Sequence, residues 1–247
     1  MRLLALFLLT APLAAPLAAQ APDPFPPIPR PKRSWTLQTD LGLVNTAGNT
    51  STTTLNAGDA ASVTIGDWTL SQGFAVVYGR TDGSRSAENY VAGLRLDYLV
   101  SPGLGMYATG RWSRDRFAGI SGRFEEGTGL SFRAVATAAT EFSVEAGAVL
   151  NQQWNLNGTQ DRFASGRGAI KFKHLLSKAA YVKQLAEVLP NLIDANDVRV
   201  NTETAVVAPL SSRVALKASY VLKFDNEPQP GFETTDRYLT SGLQVVF

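Results

Sequence analysis

The chain contains no cysteine and a single histidine, His174. Without cysteine there is neither a disulfide framework nor the acylated residue of a lipoprotein. The chain also has no large excess of one charge, because it contains 23 lysine and arginine residues and 21 aspartate and glutamate residues. This balance gives no support to nucleic-acid binding, which needs a basic surface.

The first 21 residues have the pattern of a secretory signal peptide. Arg2 precedes an apolar run from Leu3 to Leu9, and an alanine-rich segment broken by two prolines follows. The run is too short for a spanning helix. We therefore predict a signal peptide over residues 1–21, with the cleaved bond left open between Ala18 and Pro22. Removing Arg2 leaves 22 basic residues against 21 acidic ones.

Long hydrophobic runs are missing from the rest of the chain. Residues 22–33 are rich in proline and predict an extended, solvated periplasmic lead-in. After them, no stretch provides the roughly 20 apolar residues of a spanning helix. An exported chain of this kind is either a soluble β protein or a membrane β-barrel.

The last 14 residues, Thr234 to Phe247, alternate in polarity, with one face mostly apolar and the other mostly polar or small. Leu239, Leu243 and Val245 share one face, and Asp236 and Gln244 lie on the other, which is typical of a strand with water on one side only. The strand ends on an aromatic residue. Such an ending resembles the terminal strand of outer-membrane barrels, which the barrel-assembly machinery recognises, so Phe247 is the candidate assembly signal.

The same alternation recurs along the chain and predicts an all-β fold, a transmembrane antiparallel up-and-down β-barrel of about twelve strands over residues 34–247. Connections between strands alternate between tight turns and longer polar loops, as in outer-membrane barrels with both termini in the periplasm. The predicted strands are 34–45, 51–65, 68–80, 86–100, 104–115, 122–137, 140–154, 161–176, 178–189, 198–208, 211–225 and 232–247.

Aromatic residues fall near the strand ends, on the apolar face of each strand. Two outward-facing aromatic rings are the girdles of a membrane barrel. The candidate girdle residues are Trp35, Trp68 and Tyr98 at the periplasmic end, and Tyr78, Tyr90, Trp112, Trp154 and Phe224 at the opposite end. The other face carries too many charges to pack as an apolar core, so it must line the lumen.

The inward-facing positions carry charges of both signs. Twelve strands lie between barrels filled by side chains and barrels with an open channel, so the charges either pair with one another or line a narrow path for small anions. Because the two signs are interleaved, the paired, low-conductance barrel is the favoured interpretation. The candidate lumen-lining residues are Arg95, Asp97, Arg111, Asp115, Arg133, Glu145, Arg167 and Lys217, with Asp40, Arg123, Glu125, Lys171, Glu203 and Lys223 on the same parity.

Nothing in the sequence indicates an enzyme. Serine or aspartate mechanisms normally need a nearby histidine, and His174 shares its parity with apolar Ile170 and Phe172 near the periplasmic rim. No Gly-x-Ser-x-Gly motif, phosphate-binding loop or metal-ligand spacing occurs. We expect no catalytic residues, no metal and no cofactor.

Several short motifs, taken in order, resemble the domain-of-unknown-function family four-eight-one, described as salt-stress-induced outer-membrane proteins. They are Ala47-Gly48-Asn49-Thr50, Arg114-Asp115-Arg116-Phe117-Ala118-Gly119, Gly127-Thr128-Gly129-Leu130, Leu189-Pro190-Asn191-Leu192 with Asp197, Ala208-Pro209-Leu210-Ser211, and Asp225-Asn226-Glu227-Pro228 with Pro230-Gly231. The resemblance spans about residues 35–247. It implies an outer-membrane barrel and supplies no assigned activity or catalytic residues. The ending Leu243 to Phe247 departs from the family by lacking a tyrosine or lysine near the last residue.

Together these features predict an outer-membrane protein of a Gram-negative bacterium with a structural or stress-related function and a narrow or charge-plugged lumen. An anion-leaning diffusion channel is the first alternative, and a secreted soluble barrel that binds an apolar ligand is the second. The expected partners are outer-membrane lipid, lipopolysaccharide and the barrel-assembly machinery, without nucleic acid, and the protein is expected to be a monomer.

Overall fold

A computed structural model describes residues 33–46, 52–177 and 180–246. Twelve strands account for most of them, and a single 3-10 turn, η1, covers Arg116–Ala118. Among these residues, no helix has the length and apolar character needed to cross a membrane. The strands are β1 (Arg33–Thr46), β2 (Thr52–Ile65), β3 (Trp68–Thr81), β4 (Ser84–Ser101), β5 (Leu104–Asp115), β6 (Ile120–Ala136), β7 (Thr140–Asn155), β8 (Gln160–Leu175), β9 (Tyr181–Pro190), β10 (Val198–Pro209), β11 (Val214–Asp225) and β12 (Thr235–Val246).

The strands form one closed antiparallel barrel in which each pairs with its neighbours in sequence, and β12 pairs with β1 to close the sheet. The predicted fold class and strand number are therefore confirmed. The closing seam joins Gln38–Leu41 to Leu243–Val246 through four described register positions, from Gln38 opposite Val246 to Leu41 opposite Leu243. It is much shorter than the β1–β2 pairing, which runs from Arg33 opposite Ile65 to Thr46 opposite Thr52.

The β3–β4 connection is shorter than predicted. The expected polar loop 81–85 is wrong, because β4 begins at Ser84 and only Asp82 and Gly83 connect the strands. Both residues have positive φ angles, 49° and 78°. Two successive residues of this kind form the type I′ turn whose twist suits a tight hairpin. In contrast, β9, β11 and β12 each begin three residues later than predicted, at Tyr181, Val214 and Thr235.

The outer surface of the barrel is apolar. Large side chains such as Leu41, Leu94, Leu130, Leu150 and Leu239 are exposed on it. The inner positions of the same strands are mostly buried and polar. This distribution is the reverse of a soluble barrel, in which the apolar residues fill the interior.

Two polar residues interrupt the apolar outer surface near the middle of β2 and β3. Gln72 donates a side-chain hydrogen bond to the Asp59 carboxylate, so the two satisfy each other. The β2–β3 register is continuous through Gly58 and Asp59. No bulge turns the carboxylate inward, and its partner on the neighbouring strand accounts for its position.

The two ends of the barrel differ. We call one the turn end, where short connections such as Gly66-Asp67 and Pro102-Gly103 join the strands and where β1 begins and β12 ends. At the other, the loop end, residues 226–234 extend across the barrel opening. The ring of Phe232 and the side chain of Gln229 lie so close to Gly119, on the far side, that a Cβ there would be 2.7 and 2.8 Å from them. This loop therefore covers part of the opening.

Several predictions fall outside the described residues. They are the signal peptide 1–21, nearly all of the lead-in 22–33, the motif 47–50 and the assembly signal Phe247. Arg33, predicted as the last lead-in residue, begins β1.

Candidate functional site

A buried carboxylate, Glu145, is the centre of an ion-pair cluster in the part of the lumen nearer the turn end. Glu145 on β7 accepts from Arg95 Nη2 at 2.8 Å, from Arg167 Nη1 at 2.8 Å and from Lys171 Nζ at 2.7 Å. Its side chain is 1% exposed. Arg95 also binds Asp97 at 2.7 Å on its own strand. We call Glu145, Arg95, Asp97, Arg167 and Lys171 the Glu145 cluster. It joins β4, β7 and β8, although β4 and β7 are not neighbours in the sheet.

Tyr107 on β5 supports this cluster from inside the barrel. The guanidinium carbon of Arg95 lies 4.1 Å from the centroid of its ring, and its hydroxyl accepts from Arg167 Nη1 at 2.8 Å. The hydroxyl lies against two glycines that face each other on β6 and β7, Gly129 and Gly147. Because glycine has no side chain, these two positions leave room for the Tyr107 hydroxyl. The Tyr107 side chain can then contact both Arg95 and Arg167.

Gly147→Ala should therefore destabilise the barrel by about 2 kcal/mol through overpacking. An added Cβ would lie 2.7 Å from the Tyr107 hydroxyl and would also meet the Thr128 carbonyl. Gly93→Ala is the matched control, because its nearest neighbour would be 3.6 Å away. Urea unfolding in lipid vesicles, followed by tryptophan fluorescence, measures both variants. Equal losses would mean that the close packing around Gly147, by the Thr128 carbonyl and the Tyr107 hydroxyl together, does not limit stability.

A second layer of charges lies nearer the loop end. Arg111 Nη2 contacts Glu125 at 2.5 Å, and Arg199 Nη1 contacts the same carboxylate at 3.3 Å. Arg111 also approaches Glu187 at 3.9 Å, while Arg167 Nε bonds Glu187 at 2.9 Å and so joins this layer to the Glu145 cluster. We call Arg111, Glu125, Glu187 and Arg199 the crossing layer. Its contacts run from β5 to β9 and from β6 to β10, four strands apart around the barrel.

One ion pair joins opposite walls. Lys223 Nζ on β11 lies 3.4 Å from Asp115 Oδ2 on β5, six strands away in a barrel of twelve. Asp115 also accepts from Asn89 Nδ2 at 2.7 Å and from the backbone amide of Phe117 at 3.2 Å. The pair therefore crosses the lumen just below η1.

A separate group occupies the turn end near the closing seam. Lys217 Nζ lies 3.3 Å from Asp40 and 3.6 Å from Glu203. Gln244, which is 1% exposed, donates to Asp40 at 3.0 Å. Arg133 lies opposite buried Ser143 on the inner face of β6. Among the described residues no carboxylate pairs with it or with Arg123, whose guanidinium donates to Gln153 Oε1 instead. The other candidate lumen arginines all contact carboxylates.

A cavity of about 650 Å³ occupies the lumen above the Glu145 cluster and reaches the loop end. Its walls include cations of the cluster and of the crossing layer, whereas its mouth is acidic. Asp194, Asp197, Asp225 and Glu227 line the mouth. Repulsion from Asp194, with smaller effects of slight burial and of the other two aspartates, raises the pKa of Glu227. As the pH falls, Glu227 is therefore expected to become protonated at a higher pH than an ordinary glutamate does.

The structure brings together most of the lumen residues predicted from sequence. Arg95, Asp97, Glu145 and Arg167 meet in the Glu145 cluster, while Arg111 lies in the crossing layer. Asp115 pairs with Lys223, and Lys217 belongs to the turn-end group. Arg133 stands apart from these groups.

Sequence reasoning missed Arg199, Glu187 and Tyr107. Arg199 and Tyr107 share the inward parity of Glu203 and Arg111 on their own strands, so that signal was available. Glu187 lies on β9, where alternation is weak and the inner face could not be recognised.

The eight girdle candidates lie on the outer face near the strand ends. Trp35, Trp68, Trp112 and Trp154 are exposed, while Tyr78, Tyr90, Tyr98 and Phe224 are half-buried. At the turn end, the rings of Trp68 and Tyr98 lie 4.6 Å apart between centroids. At the loop end, Trp112 and Trp154 both border Gly122.

His174 has a local packing role. Its Nδ1 lies 2.8 Å from Thr140 Oγ1, and its ring stacks on Phe172 at 6.2 Å between centroids. Its partners are a neighbouring strand hydroxyl and an outward-facing ring. Among the described residues, no three aspartate, glutamate or histidine side chains are grouped to hold a metal ion.

Comparison with solved structures finds other barrels. A structure described as the NanC porin aligns with a TM-score of 0.47 and 10% identity over 86% of this chain and 98% of that one. The translocator domain of autotransporter NalP from Neisseria meningitidis gives 0.43 and 14% identity over 87% of each chain. The anion-selective porin from Comamonas acidovorans gives 0.40 and 10% over 87% and 100%. At these values the similarities say nothing about what this chain binds or conducts.

No curated protein matches the chain. A family model does match it, over residues 39–247, and that range includes β2 to β12 and most of β1. The family is described as "Protein of unknown function, DUF481". The predicted resemblance is thus confirmed, and the chain belongs to the DUF481 family.

Proposed function

We propose that the protein is a bacterial outer-membrane β-barrel with its turn end and both termini in the periplasm. The exposed apolar belt supports this, because apolar surface costs about 25 cal/mol per Å² in water. The aromatic residues at both strand ends fit the two membrane interfaces. A soluble barrel for an apolar ligand would need an apolar interior, whereas the described lumen is lined by ion pairs.

Within that membrane, we propose a structural barrel whose lumen is closed by paired charges rather than an enzyme. The observation that carries this conclusion is the Lys223–Asp115 pair, which joins opposite walls of the barrel. The crossing layer and the Glu145 cluster also hold paired side chains inside the lumen, nearer the turn end than this pair. The cations and anions of these groups nearly balance in number, so the side chains hold one another in place, including those that border the cavity.

Conductance in planar bilayers tests this proposal. The refolded protein is expected to show little or no steady current, because solutes would have to break ion pairs held inside the barrel. Heat-modifiable migration on gels and co-fractionation with outer membranes check folding and location in parallel. Recovery in the soluble periplasm would contradict the barrel in the membrane, and a large steady current would contradict the closed lumen.

A diffusion channel for small solutes is the second candidate, favoured by the 650 Å³ cavity. Arginines in its walls favour anions, but the acidic mouth repels them at neutral pH. In a channel, Arg111→Ala should lower anion preference without loss of folding. In the closed barrel it should cost stability, because Glu125 would lose one of its two cations.

A role in salt stress is a further proposal, motivated by the resemblance described above. A deletion strain grown at high salt tests it. Defective growth that is restored by the wild-type gene would support the role, and unchanged growth would argue against it.

The proposed partners are membrane lipid, lipopolysaccharide and the barrel-assembly machinery, for a monomeric protein that does not bind nucleic acid. If the machinery reads the terminal residue, deleting Phe247 should slow assembly and leave unfolded chain in the periplasm. Pulse-chase fractionation measures the rate, with Phe247→Tyr as an aromatic control. Assembly of the deletion at the normal rate would exclude Phe247 as the signal.

A further inference from the structure

Besides the charged groups of the lumen, a charged group lies on the outside of the barrel at the loop end. Glu88 on β4 contacts three arginines: Arg85, Arg114 Nη2 at 3.5 Å and Arg116 Nε at 3.9 Å. We call these four residues the outer arginine cluster. The Glu88 side chain is 7% exposed, while the arginines are 48%, 35% and 41% exposed. The carboxylate is therefore covered by guanidinium groups that remain open to an external ligand.

The register shows that this cluster faces outward. Glu88 lies opposite Tyr78, and Arg114 lies opposite Tyr90, so all four share the face of the aromatic girdle. Trp112, two residues before Arg114 on β5, is exposed on the same face. The cluster continues these aromatic positions toward the loop end.

A bulge brings Arg85 into the cluster. The β3–β4 register passes from Gly79 opposite Ala87 to Arg80 opposite Arg85, which leaves one extra residue on β4. In a regular strand Arg85 and Glu88, three residues apart, would point to opposite faces. The bulge turns Arg85 outward instead, and its guanidinium carbon lies 5.9 Å from the centroid of the Tyr78 ring.

The cluster is positively charged in excess. Three guanidinium groups share one carboxylate, and Arg80, which is exposed, lies opposite Arg85 on the neighbouring strand. The Nε of Arg114 is buried and has no hydrogen-bond acceptor among the described residues. The site therefore carries uncompensated positive charge and an unused donor beside an apolar, lipid-facing surface.

We infer that the outer arginine cluster binds a phosphate group of a lipid in the outer leaflet. Guanidinium groups recognise phosphate through charge-assisted, often bidentate hydrogen bonds. At the edge of an aromatic girdle they lie at the depth of the lipid headgroups. The lipid, rather than free phosphate, is the proposed source because its chains pack on the apolar strands below while its phosphate meets the arginines. This inference rests on the proposed membrane location.

Native mass spectrometry of the full-length barrel, refolded in detergent, tests the inference with diphosphoryl lipid A as the probe. Arg85→Gln, Arg114→Gln and Arg116→Gln are combined in one variant. We expect it to bind the probe at least about tenfold more weakly, since several charge-assisted contacts are lost. The control combines Lys173→Gln, Lys183→Gln and Arg213→Gln, an equal charge change near the turn end, and should bind like the wild type.

Glu88→Gln is a variant whose expected effect on binding is the opposite of that of the triple variant. It removes the carboxylate that competes with phosphate and keeps every arginine, so it should bind diphosphoryl lipid A more tightly than the wild type. Weaker or unchanged binding would overturn the inference, even if the triple variant failed to fold.

Two further probes identify the source of the phosphate. Equal binding of fully dephosphorylated lipid A would show that the acyl chains alone are recognised and would overturn the inference. Displacement of diphosphoryl lipid A by an equal concentration of inorganic phosphate would also overturn it, in favour of a free-anion site. Heat-modifiable folding and insertion into vesicles are measured separately. If the barrel inserts but binds diphosphoryl and dephosphorylated lipid A equally, only this inference is contradicted. If the chain never inserts, the proposed function is contradicted.

Discussion

Glu145→Gln is expected to lower the free energy of unfolding by about 3–5 kcal/mol, the cost of breaking a buried ion pair by removing one partner. The carboxylate contacts Arg95, Arg167 and Lys171 at distances of 2.7–2.8 Å and is the anion that all three share. Glutamine keeps the shape but leaves three confined cations with less compensation. Urea titration of the barrel in lipid vesicles, with tryptophan fluorescence as the signal, gives the change.

Two further variants isolate the charge effect. Glu233→Gln removes an exposed loop carboxylate and should change stability little. Adding Lys171→Gln to Glu145→Gln removes one of the stranded cations and should restore part of the loss, which a double-mutant cycle quantifies. A loss below about 1 kcal/mol for Glu145→Gln would mean that water already solvates these charges, as in an open channel.

Replacing the whole crossing layer by serine should produce the largest change in conductance. Arg111→Ser, Glu125→Ser, Glu187→Ser and Arg199→Ser together remove two cations and two anions, so the net charge stays the same. The contacts that span four strands disappear, and serine leaves room for water in their place. We expect the single-channel current in planar bilayers to rise severalfold above that of the unmutated barrel.

Arg213→Ser combined with Asp67→Ser is the control, because both residues are exposed in turns at the turn end and neither lines the cavity. Its current should match that of the wild type. If the four-serine variant folds and still carries no more current than the wild type, the crossing layer is not the barrier. The Glu145 cluster and the Lys223–Asp115 pair would then be the remaining candidates.

Much of this architecture could be predicted from the sequence because a strand repeats every two residues. The period assigns Trp112 and Arg111 to opposite faces without any knowledge of the neighbouring strands. The same reasoning gives the polarity of β11, with Leu216 outside and Lys217 inside. The number of strands follows from counting such segments between turns.

Contacts across the lumen could not be predicted in the same way. Lys223 and Asp115 are 108 residues apart, and whether they meet depends on the stagger of all the strands between them. Strand parity gives the face of each residue but not its height along the barrel. The outer arginine cluster was hidden for another reason, since a bulge reverses the face of Arg85.

The short seam between β1 and β12 has a consequence for how the barrel forms and fails. Eleven of the twelve strand pairings join consecutive strands and can form as hairpins with little loss of chain entropy. The twelfth brings together residues such as Gln38 and Gln244, 206 positions apart. Closure of such a distant pairing comes late and slowly. We therefore expect the seam to be the last strand pairing to form and the first to open. Substitutions that lengthen it should prolong the lifetime of the folded state more than substitutions elsewhere that raise the free energy of unfolding by the same amount.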